Sequence, residues 1–238
     1  MIRVFPDLER LSRAASEEVA RFCLEGARLR GKASLVLAGG STPRRLYELL
    51  SERTGWDRVD FFFGDERFVP PDHPESNFRM VSEAWFGKGG IPDDRIHRMK
   101  TEHGDPDQVA RDYEMEIRRS LGSRPQFDLV LLGMGADGHT ASLFPGSDLL
   151  SETKRWVAPA KSPSGAVRIT MTLPILNSAR KVFLLVSGKD KAETVAKLFE
   201  RSVEAAAFPV GRIKIEPDES VWFLDQMAAR LLKKSSKG

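Results

Sequence analysis

Four short stretches of this 238-residue chain hold side chains whose types and spacing could do chemistry. The richest is LVLLGMGADGHTASLFPGS, Leu129 to Ser147, in which His139 follows Asp137 by two positions inside a glycine-rich loop. Histidine can take a proton from water near neutral pH and return it to a leaving group. A lone histidine is more often structural, but one beside an aspartate on a strand-end glycine loop is well set for acid–base work. Backbone N–H groups around Gly135 and Gly138 could stabilise an oxyanion there.

A second stretch, LAGGSTPRRLYELL, runs from a strand through Gly40, Ser41 and Thr42 into a helix that Pro43 can open. Glycines let a ligand approach the backbone, and the helix start favours an anion such as phosphate. The plainer reading is a turn in which Ser41 or Thr42 only caps the helix. A hydrolase nucleophile elbow needs glycine two residues after the serine, and Pro43 stands there. Ser41 still has Asp137 and His139 as potential triad partners, so it is the rival candidate for a covalent nucleophile.

The third stretch, FFFGDERFVPPDHPESN, places Asp65, Glu66 and Arg67 directly after an apolar strand and before a proline-stiffened loop. Three charges at a strand end are often only a solvated turn, but long stiff loops tend to be functional. The fourth, VSGKDKAETV, ends a strand at Ser187-Gly188 and offers Lys189 to a phosphate at the strand tips. Arg168, on RITMT, is a further cation.

Several chemistries are disfavoured. Gly133, Gly135 and Gly138 spell the dinucleotide-binding G-x-G-x-x-G pattern, but Pro145 interrupts any long helix seven residues later. The acidic residue due about twenty positions on is also missing from WVAPA. His73, His97, His103 and His139 show no metal-ligand spacing, so no metal and no cofactor are expected. Lys plus Arg is 37 against 34 for Asp plus Glu, and the surplus lies in the tail KKSSKG, expected to be frayed at 233–238. No basic stripe remains for nucleic acid. No apolar run reaches the ~18 residues of a membrane span, and the charged start is unlike a signal peptide. The single Cys23 fits a reducing compartment. A soluble cytoplasmic monomer acting on a small molecule is the expectation.

Elements must position these stretches. Leu8, Leu11, Ala15, Val19 and Phe22 recur at helical steps after the cap residue Asp7, and Gly31 stops that helix. Nearly continuous apolar runs at 33–38, 59–63 and 127–133 read as buried strands, with others at 168–172, 181–186 and 221–224. Helices are expected from about Asn77, over 107–121, over 190–201 and over 225–234. Strands alternating with helices imply an α/β fold around a largely parallel sheet, here one domain over 1–238. Such sheets bind ligands at their strands' carboxyl ends, so the strand-end loops could share one site.

Taken together, LAGGSTP, FFGDERFVPPDHPESN, LLGMGADGHTASLFPG, RITMT and VSGKDKA resemble the 6-phosphogluconolactonase family over nearly the whole chain. The resemblance implies a fold shared with glucosamine-6-phosphate deaminases and ribose-5-phosphate isomerases. It implies hydrolysis of 6-phospho-D-glucono-1,5-lactone, the second step of the oxidative pentose phosphate pathway. It also implies His139 as the base, with Arg67 and Lys189 holding the phosphate. The deaminases carry a glutamate five residues after that histidine, where this chain has Phe144. An aromatic ring cannot hold a proton, so ring-opening chemistry loses a required group. Asp65 matches the deaminases' basic aspartate and is expected here to position sugar hydroxyls or the water. A sugar-phosphate sensor of this fold would need a DNA-binding segment, and the sequence offers none.

Overall fold

The computed structural model describes residues 1–213 and 219–233. Among these described residues ten strands are formed: β1 (Ile2–Phe5), β2 (Ala33–Leu37), β3 (Val59–Phe63), β4 (Asp65–Arg67), β5 (Ile96–His97), β6 (Leu129–Leu132), β7 (Val157–Lys161), β8 (Val167–Met171), β9 (Val182–Val186) and β10 (Ser220–Asp225). Seven of them build one sheet in the order β1-β10-β9-β6-β2-β3-β5, and every pairing in it is parallel. The expected α/β class is therefore the one observed. The chain runs from β2 outward to β3 and β5, then returns to place β6 on the other side of β2. The β2/β6 boundary is thus a switch point, where the crevice outside the strand ends lies open to a ligand.

Both faces of this sheet are covered, which is why its strands read as unbroken apolar runs. Successive side chains point to opposite faces, so Leu35, Leu37, Phe61, Phe63, Leu129 and Leu131 enter one core. Val36, Phe62, Val130 and Leu132 enter the other. Helix α1 (Leu8–Arg30) covers the first with Leu11, Ala15, Val19 and Cys23. Its start is capped by Asp7, whose carboxylate accepts from Arg10 N at 2.7 Å, and Gly31 ends it at φ 83°. The remaining helices that bear on the site are α2 (Thr42–Ser51), α3 (Asn77–Val81), α4 (Pro106–Leu121), α5 (Ala192–Phe199) and α6 (Gln226–Ala229).

The structure departs from the sequence reading in several places. The opening strand β1 was not expected: it is a four-residue edge whose Ile2 and Val4 are exposed, so it carries no buried apolar run. Asp65–Arg67 is a strand and not a turn, and it pairs antiparallel with β8 in a second sheet of order β4-β8-β7. RITMT therefore belongs to that small sheet and not to the parallel one. The unexpected β7 contains Pro159, which is tolerated because β7 is an edge paired only with β8. The helix expected over 190–201 opens as a 3₁₀ turn (Lys189–Lys191) before α5, and the closing helix is only α6, with Asp225 as its cap. Beyond Lys233 the expected basic tail lies outside the described residues.

Edge strand β5 carries a buried charge cluster. His97 Nδ1 lies 2.7 Å from Glu116 Oε1, and its Nε2 sits 3.8 Å from Asp60 Oδ1. Its ring stacks on Phe62 with centroids 4.4 Å apart. Burial disfavours the imidazolium, but the two carboxylates outweigh it and raise the His97 pKa. A raised folded-state pKa contributes stability below the unfolded value, about 6.5, that is lost as pH rises through the folded one. We therefore expect the melting temperature of the wild type to fall between pH 6 and pH 8 more than that of His97→Gln. Parallel profiles for the two proteins in a thermal-shift series would remove this cluster as a stabilising element.

Candidate active site

A cleft of about 350 Å³ opens over the carboxyl ends of β2, β3, β6 and β9. Its walls include Gly40, Ser41, Thr42, Asp65, Arg67, Gly135, His139 and Arg168, so most of the sequence-derived candidates converge there. A larger depression of about 460 Å³ lies between β5 and α4. Of its charged side chains, Arg119 pairs with Glu116 and Arg98 with nearby Glu102, and it holds none of the strand-end glycine loops.

The turn after β2 is held from beneath. The buried Tyr47 hydroxyl accepts from Ala38 N at 2.9 Å and donates to Ala38 O at 2.8 Å, fixing the last residue before the glycines. A side chain at Gly39 would overlap the Asn77 carboxamide, whose Oδ1 lies 2.0 Å from where Cβ would be. Gly40 takes φ 90°, which favours glycine. Ser41 precedes α2 and makes no side-chain cap hydrogen bond, so its hydroxyl is not committed to capping.

Gly64 carries β3 straight into β4, where alternate residues have different tasks. Glu66 is 2 % exposed and braces the proline loop: it accepts from Arg67 N, Asn77 N, Phe78 N and Ser76 Oγ at 2.7–3.1 Å. Burial pushes its carboxyl above the usual range despite those bonds. Asp65 accepts from Ser142 Oγ at 2.6 Å and from Asn77 Nδ2 at 3.3 Å, which orients its carboxylate at the cleft floor. Arg67 lies directly opposite Arg168 across the β4/β8 ladder. Each guanidinium buries an Nε without a partner, and Arg67 Nη1 is spent on Glu75 O at 2.5 Å. Burial first, then the Arg67 charge, lowers the Arg168 pKa. Two like charges held together in a half-buried cleft favour an anion that can bridge them.

The loop after β6 brings Asp137 and His139 together. His139 Nδ1 lies 2.6 Å from Asp137 Oδ1, and the same oxygen accepts from His139 N at 3.1 Å. An ionised Asp137 places the imidazole proton on Nδ1 and leaves Nε2 as the basic nitrogen. Burial acts to raise the Asp137 pKa, but the His139 backbone N–H and imidazole outweigh it and hold it below the usual range. Asp137 itself is not part of the cleft wall; it touches His139, which is. Gly138 also stays outside the wall, and its φ of 79° and the Phe208 ring, 2.7 Å from a Cβ, require glycine. The His139 ring packs 4.9 Å from the Phe144 ring.

Gly135 is what makes room for this pair. A Cβ there would come within 2.1 Å of His139 Nδ1 and 2.5 Å of Asp137 Oδ1. Displacing a reacting group by about 1 Å can cost ~10²-fold in rate, so Gly135→Ala should lower kcat by roughly that factor. The circular dichroism spectrum should not change. An undiminished kcat would show that the imidazole is not held there for catalysis.

Lys189 is not where the sequence reading put it. It is exposed and outside the cleft, whereas Lys191 lines the cleft with its side chain 21 % exposed. In the Lys189–Lys191 turn, as in any helix, side chains two apart point in different directions, so the two lysines cannot share one orientation. Asn77, Ala141, Ser187 and Asp190 also line the cleft and were not foreseen as site residues. Asn77 closes the DER stretch and was the one with a visible signal. Ala141 sits at φ 48°, a strained conformation that no sequence pattern announced.

Comparison with known proteins places this arrangement. Residues 6–222 match the family model described as glucosamine-6-phosphate isomerases/6-phosphogluconolactonase, and the chain belongs to that family. Within it, a protein of Synechocystis sp. named 6-phosphogluconolactonase is 40% identical over 209 residues, 86% of each chain. The structure of 6-phosphogluconolactonase from Trypanosoma cruzi superposes with a TM-score of 0.89 at 31% identity, covering 98% of this chain and 97% of that one. A monomeric glucosamine-6-phosphate deaminase also superposes, with a TM-score of 0.81 at 26% identity over 97% and 99% of the two chains. Among the described residues, no helix is long and apolar enough to cross a membrane.

Proposed function

We propose that this cleft hydrolyses 6-phospho-D-glucono-1,5-lactone to 6-phosphogluconate by general-base catalysis. The observation that carries the reading is the Asp137–His139 pair placed in one cleft with the Arg67–Arg168 pair. One end of the cleft offers a base and the other a seat for a dianion. Curated relatives bearing the lactonase name support the substrate.

The 6-phosphate docks on Arg67, Arg168 and Lys191, with the Gly40–Thr42 turn supplying backbone and hydroxyl donors. Lys191 takes the part that the sequence assigned to Lys189. Asp65, fixed by Ser142 and Asn77, receives sugar hydroxyls. Water attacks the lactone carbonyl while His139 Nε2 removes its proton. The Gly135 and Gly138 N–H groups expected to meet the oxyanion are instead donated to His139 O at 2.9 Å and Gly135 O at 3.0 Å, so stabilising the oxyanion falls to donors other than these two. The tetrahedral intermediate then expels the ring oxygen, which takes the proton from the imidazolium. Asp137 stays ionised throughout and stabilises the charged ring. A lactone is an activated ester, so this route uses no metal and no covalent nucleophile.

The nearest alternative is sugar-phosphate deamination, given the superposition on a deaminase. Phe144 speaks against it, since its ring packs against His139 where the sequence comparison expects a glutamate. Incubation with glucosamine 6-phosphate should release no ammonia, whereas fresh lactone should be consumed at a rate that a chelator leaves unchanged. Ammonia release, or a chelator-abolished rate restored by a divalent ion, would overturn the respective part of the proposal.

A further inference from the structure

One carboxylate in the cleft works against the proposed ligand. Asp190 Oδ2 lies 2.6 Å from Lys191 Nζ, and both residues line the cleft. The ammonium is largely sheltered, while the Asp190 side chain is 61 % exposed. The pair is local in sequence but not an accident of flexible surface groups. Gly188, at φ 105°, leaves open the space that Asp190 Oδ1 fills: a Cβ there would meet that oxygen at 2.8 Å. The Gly188 N–H is itself tied to the buried Asp225 carboxylate at 3.1 Å, which also accepts from Ser187 Oγ at 2.5 Å. The backbone beneath the pair is thus anchored, and the aspartate folds back over a glycine to reach the lysine.

Among the described residues, neither of the two other cations of the site is ion-paired with a carboxylate, although Asp65, Glu66 and Glu75 are near enough to act on Arg168. Arg67 and Arg168 lie beside each other, and their buried Nε atoms are without partners. Lys191 alone is already neutralised by a carboxylate that a phosphate would have to displace or approach. We infer that Asp190 is a specificity-determining residue that holds down affinity for the phosphoryl group by competing with it for the Lys191 ammonium. The inference rests on the lactonase reading of the cleft. Product and substrate carry the same phosphate, so weakening that contact favours product release as much as it weakens substrate capture. Binding substrate and transition state equally tightly does not raise kcat, so this loss of ground-state affinity need not slow the chemical step.

The sign of one substitution decides the matter. Asp190→Asn keeps size and hydrogen bonding but removes the negative charge. In a partly exposed site, a unit charge a few ångströms from a dianion is worth roughly three- to tenfold in affinity. Titration calorimetry with 6-phosphogluconate should therefore show Asp190→Asn binding about three- to tenfold more tightly than wild type. Inorganic phosphate should show the same direction, since the phosphoryl group is what Asp190 opposes. In a Lys191→Ala background the gain should shrink, because the contested ammonium is gone. Unchanged or weaker binding by Asp190→Asn would overturn the inference and make Asp190 a buttress for Lys191 or an acceptor for sugar hydroxyls. Failure of the wild type to bind either ligand would overturn the reading of the cleft itself, a separate outcome from the first.

Discussion

His139→Ala is expected to lose about 10² to 10⁴ in kcat for the lactone, the usual worth of general-base assistance. Binding of 6-phosphogluconate should stay within a few-fold of wild type, because the phosphate seat lies on other strands. The geometry gives the reason for this split. His139 is held by two bonds to one Asp137 oxygen, in a pocket that only glycine at 135 leaves open. Removing the imidazole takes away the group that moves the proton and leaves Arg67, Arg168 and Lys191 in place. Ser41→Ala is the control for a covalent route. Ser41 sits on the anion turn, and His139 hydrogen-bonds Asp137 in an arrangement that does not enlist the serine. That variant should raise KM modestly and leave no acyl-enzyme to trap. A wild-type kcat in His139→Ala, or a covalent adduct on Ser41, would defeat the mechanism while leaving the substrate open.

Arg67→Ala and Arg168→Ala should chiefly raise KM. Hydrogen bonds to charged groups are worth about 1.5–3 kcal/mol, which translates to roughly 10- to 150-fold for each guanidinium lost. The two effects should not add. Arg168 is held in a less favourable charged state by burial and by Arg67, so removing either arginine relieves the other. The double variant should therefore fall short of or exceed the sum by a measurable coupling. Lys189→Ala should be close to wild type, since that side chain points away from the cleft, whereas Lys191→Ala should raise KM. If steady-state kinetics showed the reverse order for the two lysines, the assignment drawn from the 3₁₀ turn would be wrong. A fall in kcat beside the rise in KM would report a contribution of the phosphate to placing the carbonyl.

Much of this site was legible in the sequence because it sits at strand ends. Runs such as LVLL, or VDFFF with only Asp60 polar, are so apolar only when both sheet faces are covered, and that shows where loops with chemistry must begin. His139, Asp65, Arg67 and the Gly40 turn followed from that placement. The parts that were not legible are those set by local twist or by pairing distant in sequence. Asp65–Arg67 looks like a charged turn until β8, about a hundred residues later, supplies its partner. That pairing alone sets Arg168 beside Arg67. Lys191 replaced Lys189 because side chains two apart on a helical turn face different sides, and the sequence does not say which of the two meets the cleft. Ala141 adopts its strained conformation because Leu143 N closes a turn onto Thr140 O at 3.0 Å, a contact with no pattern in the sequence.

The central claim is that His139 drives hydrolysis of the phosphorylated lactone. Its most direct test is the initial rate at which freshly generated 6-phosphogluconolactone is consumed, read through a coupled assay of 6-phosphogluconate and corrected for spontaneous hydrolysis. The rate should rise in proportion to wild-type enzyme and fall by about 10² to 10⁴ for His139→Ala at saturating lactone. A wild-type rate no greater than the spontaneous one, or an equal rate for the two proteins, would contradict it.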